Sequence, residues 1–185
     1  MVDSEGKKRI AGQRWLVRKQ GVYQPHIHEE VLETRKAYVL TDKKCIQLRA
    51  LKSMVDVYTV QRQAGDEWLV GVKNAASHVL DVNEEFVQDV NITSLNSRQY
   101  CYIVDPIVNG QRLFGQKILK KGETTFFLQP GEQLENNRIY DMIVLKEDES
   151  LLLKALNTFE DDDGKMYEPG SIWLKKGPCD YIPKI

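Results

Sequence analysis

Three observations predict an all-β fold built from tandem small antiparallel β-sheet units. First, a glycine precedes a tryptophan by three residues at three places, Gly12 and Trp15, Gly65 and Trp68, and Gly170 and Trp173. Second, the stretch CIQLRAL (45–51) alternates apolar and polar side chains, as a half-buried strand does. Third, Asn-Gly and Asp-Gly pairs, which suit tight hairpin turns, separate such stretches. Self-similarity of this kind indicates repeated building units.

The spacing of the tryptophans locates a diverged fourth copy. Trp68 and Trp173 lie 105 residues apart, about twice the 53 residues between Trp15 and Trp68. A copy is therefore expected near residue 120, and there Gly115 and Ile118 take the glycine and tryptophan places. The sequence ILKKG (118–122) also matches WLKKG (173–177). We interpret these glycines and large apolar residues as structural anchors of the repeat, with the apolar member buried.

The repeat divides the chain into four predicted units. Residues 1–35 hold only the back half of a repeat, residues 36–90 form a repeat, residues 91–140 a diverged repeat and residues 141–185 another. We expect the chain to begin within a repeat, as a piece of a longer protein, and the units to form an elongated rod. A sheet of about 50 residues buries too little apolar surface alone, so neighbouring units must share their apolar faces. Helical periodicity is weak. Residues 28–40 are the one stretch that suggests it, and they fit a strand after a turn equally well.

Composition excludes several function classes. The 185 residues carry 26 basic and 27 acidic side chains, a formal net charge of −1, which does not favour nucleic acid or an anionic membrane. No apolar run approaches the roughly 20 residues that span a bilayer, and the start lacks the apolar core of a signal peptide. The cysteines stand far apart and predict free thiols in a reducing compartment; they are Cys45, Cys101 and Cys179.

The stretch HIHEE (26–30) is the best candidate for a metal site. His26 and His28 share one face if the segment is a strand, and Glu29 or Glu30 would add a carboxylate ligand. However, the third histidine, His78, is distant in sequence and no cysteine pair lies nearby. We therefore favour a solvated strand edge and predict no metal site.

Two other motifs resemble ligand-binding loops only superficially. EDDDGK (160–165) has contiguous acids and an early glycine, unlike a calcium loop, and predicts an acidic hairpin turn. KKGE (120–123) lacks phosphate-loop spacing, and LKKG recurs at 174–177 as part of the repeat. No catalytic triad is recognisable among three histidines. The sequence predicts no catalytic or cofactor-binding residues and a protein that is not an enzyme.

Four longer motifs resemble the N-terminal repeats of the major vault protein family. They are AGDEWLV (64–70), IQLRAL (46–51), GQKILKKGETTFFLQPGEQLE (115–135) and IWLKKGPCDYIP (172–183). The third is long and distinctive, and the resemblance extends over essentially the whole chain in order. One departure is His78, which stands where other copies have proline, so we expect a looser turn there.

The resemblance implies a structural shell protein whose tandem β repeats form the wall of a large cytoplasmic ribonucleoprotein particle, the vault. Many copies would associate side by side, although a fragment lacking the C-terminal assembly regions could remain monomeric. It also implies a docking surface for a vault-associated poly(ADP-ribose) polymerase, with no direct nucleic acid contact in this segment and no membrane. The alternative is a freestanding β-repeat adaptor that binds protein partners by strand addition.

Overall fold

The computed structural model describes residues 6–18, 21–161 and 164–183. Regular structure in these ranges consists of short strands and one turn of 3-10 helix, at Glu135–Asn137. The strands pair in antiparallel fashion in many small sheets, which confirms the all-β prediction. The stretch 28–40, the one candidate for helix, is irregular up to the strand at Tyr38–Val39. Within the described residues, no helix has the length and hydropathy of a membrane span.

The segment 36–90 contains a three-stranded sheet with two small hairpin-like pairs beside it. Its strands are β1 Tyr38–Val39, β2 Lys44–Ala50, β3 Met54–Val55, β4 Gln61–Arg62, β5 Glu67–Val70, β6 Ser77–His78 and β7 Glu84–Asn91. β2 is central and pairs with β5 on one edge and β7 on the other, while β1 pairs with β6 and β3 with β4.

The segment 91–140 repeats this arrangement with a divided outer strand. Its strands are β8 Thr93–Leu95, β9 Gln99–Val104, β10 Ile107–Val108, β11 Gln111–Arg112, β12 Lys117–Lys121, β13 Thr124–Phe126, β14 Gln133–Leu134 and β15 Tyr140–Asp141. β9 is central and pairs with β12, β14 and β15; β8 pairs with β13, and β10 with β11.

The segment 141–183 has six strands, which follow the order and pairing of β1 to β6. They are β16 Ile143–Leu145, β17 Ser150–Lys154, β18 Phe159–Glu160, β19 Met166–Tyr167, β20 Ile172–Lys176 and β21 Cys179–Tyr181. β17 pairs with β20, β16 with β21 and β18 with β19. Among the described residues, β17 has a strand partner along one edge only.

The chain divides into two compact units. One contains residues up to Thr93 together with Phe126–Gly131, and the other contains Ser94–Thr125 together with the residues from Glu132 onward. The second predicted copy, apart from Phe126–Gly131, thus shares one compact unit with the third. The repeat bounds at 35, 90 and 140 remain a prediction about sequence units.

The central strand β2 is more buried than its alternating pattern predicts. Ile46 and Leu48 are fully buried in a core with Leu40, Ala50, Trp68 and Val70. Gln47, on the opposite face, is also buried, and its side chain hydrogen-bonds to Glu67 and Gln88. The expectation of one buried face was wrong here because β5 and β7 cover both edges of β2, and their side chains enclose Gln47.

Candidate functional site

Each predicted anchor glycine occupies the third position of a four-residue turn. The fourth residue donates its N–H to the carbonyl of the first, over Ile10–Gln13 (3.2 Å), Gln63–Asp66 (3.1 Å), Leu113–Gln116 (3.3 Å) and Glu168–Ser171 (3.0 Å). The four glycines have φ of 76°, 89°, 71° and 89° in chain order. A positive φ at this position is the type II turn requirement, which glycine meets without strain.

Conformation, and not space, explains the need for glycine at these positions. A Cβ built on any of the four anchor glycines would meet no atom within 4 Å. The recurring glycine therefore sets the direction in which the chain enters the next strand. It does not admit a neighbouring backbone.

Substituting Gly65 with alanine is expected to lower the free energy of unfolding by about 1–2 kcal/mol, because an L-residue is strained at positive φ. Gly71→Ala is the matched control, since Gly71 has an ordinary φ and its added Cβ would only touch Cys45 at 3.5 Å. Urea denaturation of both variants checks the prediction. Equal losses would contradict a conformational role for Gly65.

The turn is joined to the central strand by the same backbone bonds in two copies. Gly65 donates its N–H to the Ala50 carbonyl at 2.8 Å, and Gly170 donates to Ala155 at 2.8 Å. In the diverged copy, Gly115 instead donates to the Asp105 carboxylate at 2.7 Å. Asp105 has a φ of 53°. Its carboxylate replaces the alanine carbonyl that accepts the glycine N–H in the other two copies.

The anchor side chain lies directly across from a large aliphatic residue of the central strand in three copies. The pairs are Trp68 with Leu48, Ile118 with Ile103, and Trp173 with Leu153. Trp68 is buried, whereas Trp15, Ile118 and Trp173 are half-buried. Among these four residues, Trp68 alone belongs to the buried core, and the structural-anchor role of the set stays a prediction.

A residue six positions before each tryptophan packs on its ring, and the sequence analysis missed it. The Arg62 guanidinium lies 4.6 Å from the centre of the Trp68 ring, and Arg9 lies 5.1 Å from that of Trp15. In the last copy a Tyr167 ring stands 4.2 Å from the Trp173 ring. Cation–π and aromatic contacts of this kind add to burial. The shared arginine in RIAGQRW (9–15) and RQAGDEW (62–68) could have revealed it.

A buried carboxylate positions Arg62. Asp56 has a side chain with 0% exposure and accepts a 2.9 Å bond from the Arg62 Nε. The same carboxylate accepts the backbone N–H groups of Tyr58 and Val60, both at 2.9 Å. Asp161, 105 residues later, accepts the N–H of Lys165 at 2.9 Å in the corresponding turn. Asp56 thus links the small hairpin to the tryptophan layer.

The stretch HIHEE, a candidate for which we predict no metal site, forms a turn at residues 27–28. Glu29 Oε2 accepts the backbone N–H of His26 at 2.9 Å and the Tyr23 hydroxyl at 2.7 Å. His26 and His28 are both exposed, and the expected strand edge is a turn instead. No group of three or more metal-ligating side chains occurs among the residues that the structure describes.

The equivalent turn in the next copy, Asp81–Glu84, contacts His78 of β6. Glu84 Oε2 accepts the Asp81 N–H at 2.8 Å and contacts His78 Nε2 at 2.9 Å, and the other His78 nitrogen contacts the Tyr58 hydroxyl at 3.0 Å. Both His78 and Glu84 are buried. The burial of the Tyr58 hydroxyl and the nearby Glu84 carboxylate raise the pKa of Tyr58. The His78 imidazole thus joins two polar side chains, and the expectation of a looser turn after it stays a prediction.

The remaining candidate motifs have structural positions. Lys120 and Lys121 lie in β12, and Gly122 donates its N–H to Gln99 at 3.1 Å. The acidic stretch 160–165 connects β18 to β19, and its residues 162 and 163 lie outside the described part of the chain.

The cysteines are free, and two of them are buried. Burial raises the pKa of Cys45 from 9.0 to about 11 and also raises the pKa of Cys101. Because thiolate is the reactive form, iodoacetamide at pH 8 should modify Cys179 first. Cys45 should react about 100-fold more slowly in the folded chain than in urea. Peptide mass spectrometry measures this, and equal rates in both states would contradict it.

The raised pKa values also predict a loss of stability at high pH. The folded thiol stays protonated where the unfolded thiol ionises, so the unfolded state binds fewer protons above pH 9. The contribution of Cys45 is complete below its ordinary pKa of 9.0 and falls away as the pH rises through about 11. Cys45→Ala should make the unfolding free energy less dependent on pH between those values.

The packing site consists of the glycine turn, the anchor side chain, the aliphatic residue opposite that side chain and the residue stacked on it. The fold and this site define a class of protein, the structural β-repeat proteins.

Sequence comparisons assign the family. A model of the major vault protein repeat domain matches residues 38–81 and 143–184, and a second model with the same description matches residues 92–137. The chain belongs to the major vault protein repeat family.

Relatives from distant organisms agree with this assignment. The chain is similar to major vault protein alpha of Dictyostelium discoideum, with 49% identity over 99% of this chain and 22% of that protein. Identity to the major vault protein of Strongylocentrotus purpuratus is 45% over 99% of this chain and 22% of that protein. For Mus musculus it is 45% over 98% of this chain and 21% of that protein. The chain thus spans about a fifth of the length of these relatives, and none of the three is named as an enzyme.

Proposed function

We propose that this chain is a wall segment of a vault particle, where it associates side by side with further copies in the cytoplasm. The observation that carries the proposal is the recurrence of one packing site in successive sheets of a chain that belongs to the vault repeat family. Repeats that differ little in backbone present regularly spaced faces, and weak contacts between such faces add up around a large assembly.

An exposed apolar row supports lateral association. Leu152 of β17 stands opposite Leu174 of β20, and Ile172 follows on the same face. Their exposures are 70%, 58% and 64%. Contiguous exposed apolar side chains in a soluble domain commonly mark an interaction surface.

The corresponding face of the first full copy is polar instead. Arg49 forms salt bridges with Glu67 at 2.8 Å and Glu85 at 3.2 Å, on the face that also carries Gln47. Exposed ion pairs of this kind contribute little to stability, because solvent and salt screen them. The two copies therefore offer different chemistry at equivalent places, and lateral contact by the last copy would bury the larger apolar area.

A chimera tests the proposal. This segment would replace the matched 22% of the Dictyostelium protein, and negative-stain electron microscopy would count particles beside the unmodified protein. We expect hollow particles from the chimera and about tenfold fewer after the double change Leu152→Ser and Leu174→Ser. Phe114→Ser is the control, because Phe114 is 75% exposed on a different hairpin. A chimera that sediments as a monomer would refute the wall function.

We also propose that the wall surface docks partner proteins, including a vault-associated poly(ADP-ribose) polymerase. This part rests on the family resemblance alone. Co-purification of that enzyme with the chimera, and not with the isolated segment 94–183, would locate its contact in the first unit. The absence of co-purification with either would remove the enzyme from the proposal.

A further inference from the structure

The diverged copy closes its small hairpin differently from the two regular copies. Only Asn109 and Gly110 connect β10 to β11, whereas the equivalent loops of the regular copies, 56–60 and 161–165, are longer. Both loop residues have a positive φ, 52° and 79°. This is the backbone of a type I′ turn, which Asn-Gly satisfies with little strain. The tight hairpin therefore requires this pair of residues.

The pair that suits the turn is also chemically labile. Asparagine is one of the thermolabile residues of proteins, and Asn109 is the only asparagine in the chain that is followed by glycine. Because glycine has no Cβ, its backbone nitrogen is the least hindered nucleophile for the preceding side-chain amide. Asn109 and Gly110 are both exposed, and a Cβ built on Gly110 would meet no atom within 4 Å. The reacting groups and water thus have room.

Hydrogen bonding distinguishes Asn109 from other asparagines. Among the described residues, neither its side-chain amide nor the Gly110 N–H has a hydrogen-bond partner. The side-chain oxygens of Asn74 and Asn96, in contrast, each accept a backbone N–H, at 3.2 and 2.9 Å. Such a bond fixes the amide and opposes the rotation that a reaction requires. The Asn109 amide is under no such restraint.

The reaction requires movement at the tip of the hairpin only. The two loop residues must rotate until the nitrogen of the second reaches the amide carbon of the first. β10 and β11 have two residues each, and so short a hairpin opens at low cost. Its base is fixed separately, by the Ile107 N–H to the Glu132 carboxylate at 2.8 Å and the Leu113 N–H to the Pro106 carbonyl at 2.9 Å. The tip can therefore open while the sheet around β9 stays folded.

We propose that Asn109 is a site of spontaneous deamidation. The Gly110 nitrogen gives its proton to solvent and attacks the side-chain amide carbon of Asn109. A new C–N bond forms, the bond to the amide nitrogen breaks, and ammonia leaves with its third proton supplied by solvent. Water then opens the cyclic imide. Cleavage at the side-chain carbonyl gives aspartate, and cleavage at the main-chain carbonyl gives isoaspartate, through whose side chain the backbone continues.

The two products affect the hairpin differently. Each adds one negative charge, and aspartate still tolerates the positive φ of the turn. Isoaspartate lengthens the backbone of the loop by one carbon atom, so the loop no longer fits a type I′ turn and the pairing of β10 with β11 is lost. The modification thus records the age of the chain. It goes beyond the wall function, because it requires only water and proceeds in the isolated chain.

Peptide mass spectrometry tests the proposal. The whole chain is kept at pH 8 for several weeks and then digested with trypsin. Peptide 99–112 contains Asn109 as its only asparagine, whereas peptide 74–98 contains four others and is the internal control. We expect 99–112 to gain the mass difference between NH₂ and OH, in two products that chromatography separates. Its conversion should be about tenfold or more faster than that of 74–98, which lies in paired strands and capped turns.

A variant and an unfolded reference complete the experiment. Asn109→Gly retains a residue that accepts positive φ and should show no mass gain in 99–112, and circular dichroism verifies its fold. The parent chain in urea gives the rate without the hairpin. Full conversion of 99–112 in urea with none in the folded chain would overturn the proposal, since the turn would then block the attack. Equal conversion of 99–112 and 74–98 in the folded chain would also overturn it.

Discussion

Trp68→Ala is expected to lower the free energy of unfolding by about 3–5 kcal/mol, the usual cost of truncating a buried aromatic side chain. Trp68 is 6% exposed and lies between Leu48 across the strand pair and the Arg62 guanidinium on its ring face. Alanine leaves a cavity in the core and removes the surface on which Arg62 stacks. Chemical denaturation monitored by circular dichroism measures the loss.

Phe114→Ala is the control for this change. It also truncates an aromatic ring beside an arginine, but Phe114 is 75% exposed, so its loss should stay below about 1 kcal/mol. Trp173→Ala should fall between the two, because Trp173 is half-buried. A near-zero effect at Trp68 would show that the indole is not a packing anchor.

Asp56→Ala is expected to cost about 3–5 kcal/mol, because the enclosed carboxylate accepts three hydrogen bonds and each buried donor that loses its acceptor costs about 1–3 kcal/mol. The Asp56 carboxylate, fully enclosed, holds Arg62 and two backbone N–H groups of its own turn. Alanine would leave all three donors without their acceptor. The loss should appear in thermal and urea unfolding alike.

Asp56→Asn separates charge from turn formation. The amide oxygen still accepts backbone N–H groups while the ion pair with Arg62 is lost, so this variant should retain part of the stability. An asparagine variant as unstable as the alanine variant would assign the whole effect to charge. An alanine variant within about 0.5 kcal/mol of the parent would contradict the buried pairing.

The sequence predicts the repeated elements because their physical requirements are local. A type II turn requires glycine at one position, and an indole three residues later must be buried against a neighbour. Both requirements leave residues at fixed spacing, so Gly65 and Trp68 are visible without coordinates. The diverged Ile118 is found by the same spacing.

Contacts between distant residues are less accessible to sequence analysis. Ile103 faces Ile118 because β9 and β12 pair in one register, and no pattern in either stretch specifies that register. Asp105 replaces a backbone acceptor with its side chain. HIHEE suggests metal ligands by composition, whereas its glutamate hydrogen-bonds to a backbone N–H three residues earlier. Such capping contacts become visible only when HIHEE is compared with DVNEE (81–85).

The succession of strands near residue 142 has a consequence for mechanical behaviour. Tyr140–Asp141 completes the sheet around β9, Met142 donates its N–H to Arg98 at 2.8 Å, and Ile143–Leu145 pairs with β21. The continuous stretch 140–145 thus forms hydrogen bonds in two successive sheets. Tension applied along this stretch would therefore act on the hydrogen bonds to β9 and on those to β21 together. We expect the two sheets to resist such a force as one unit.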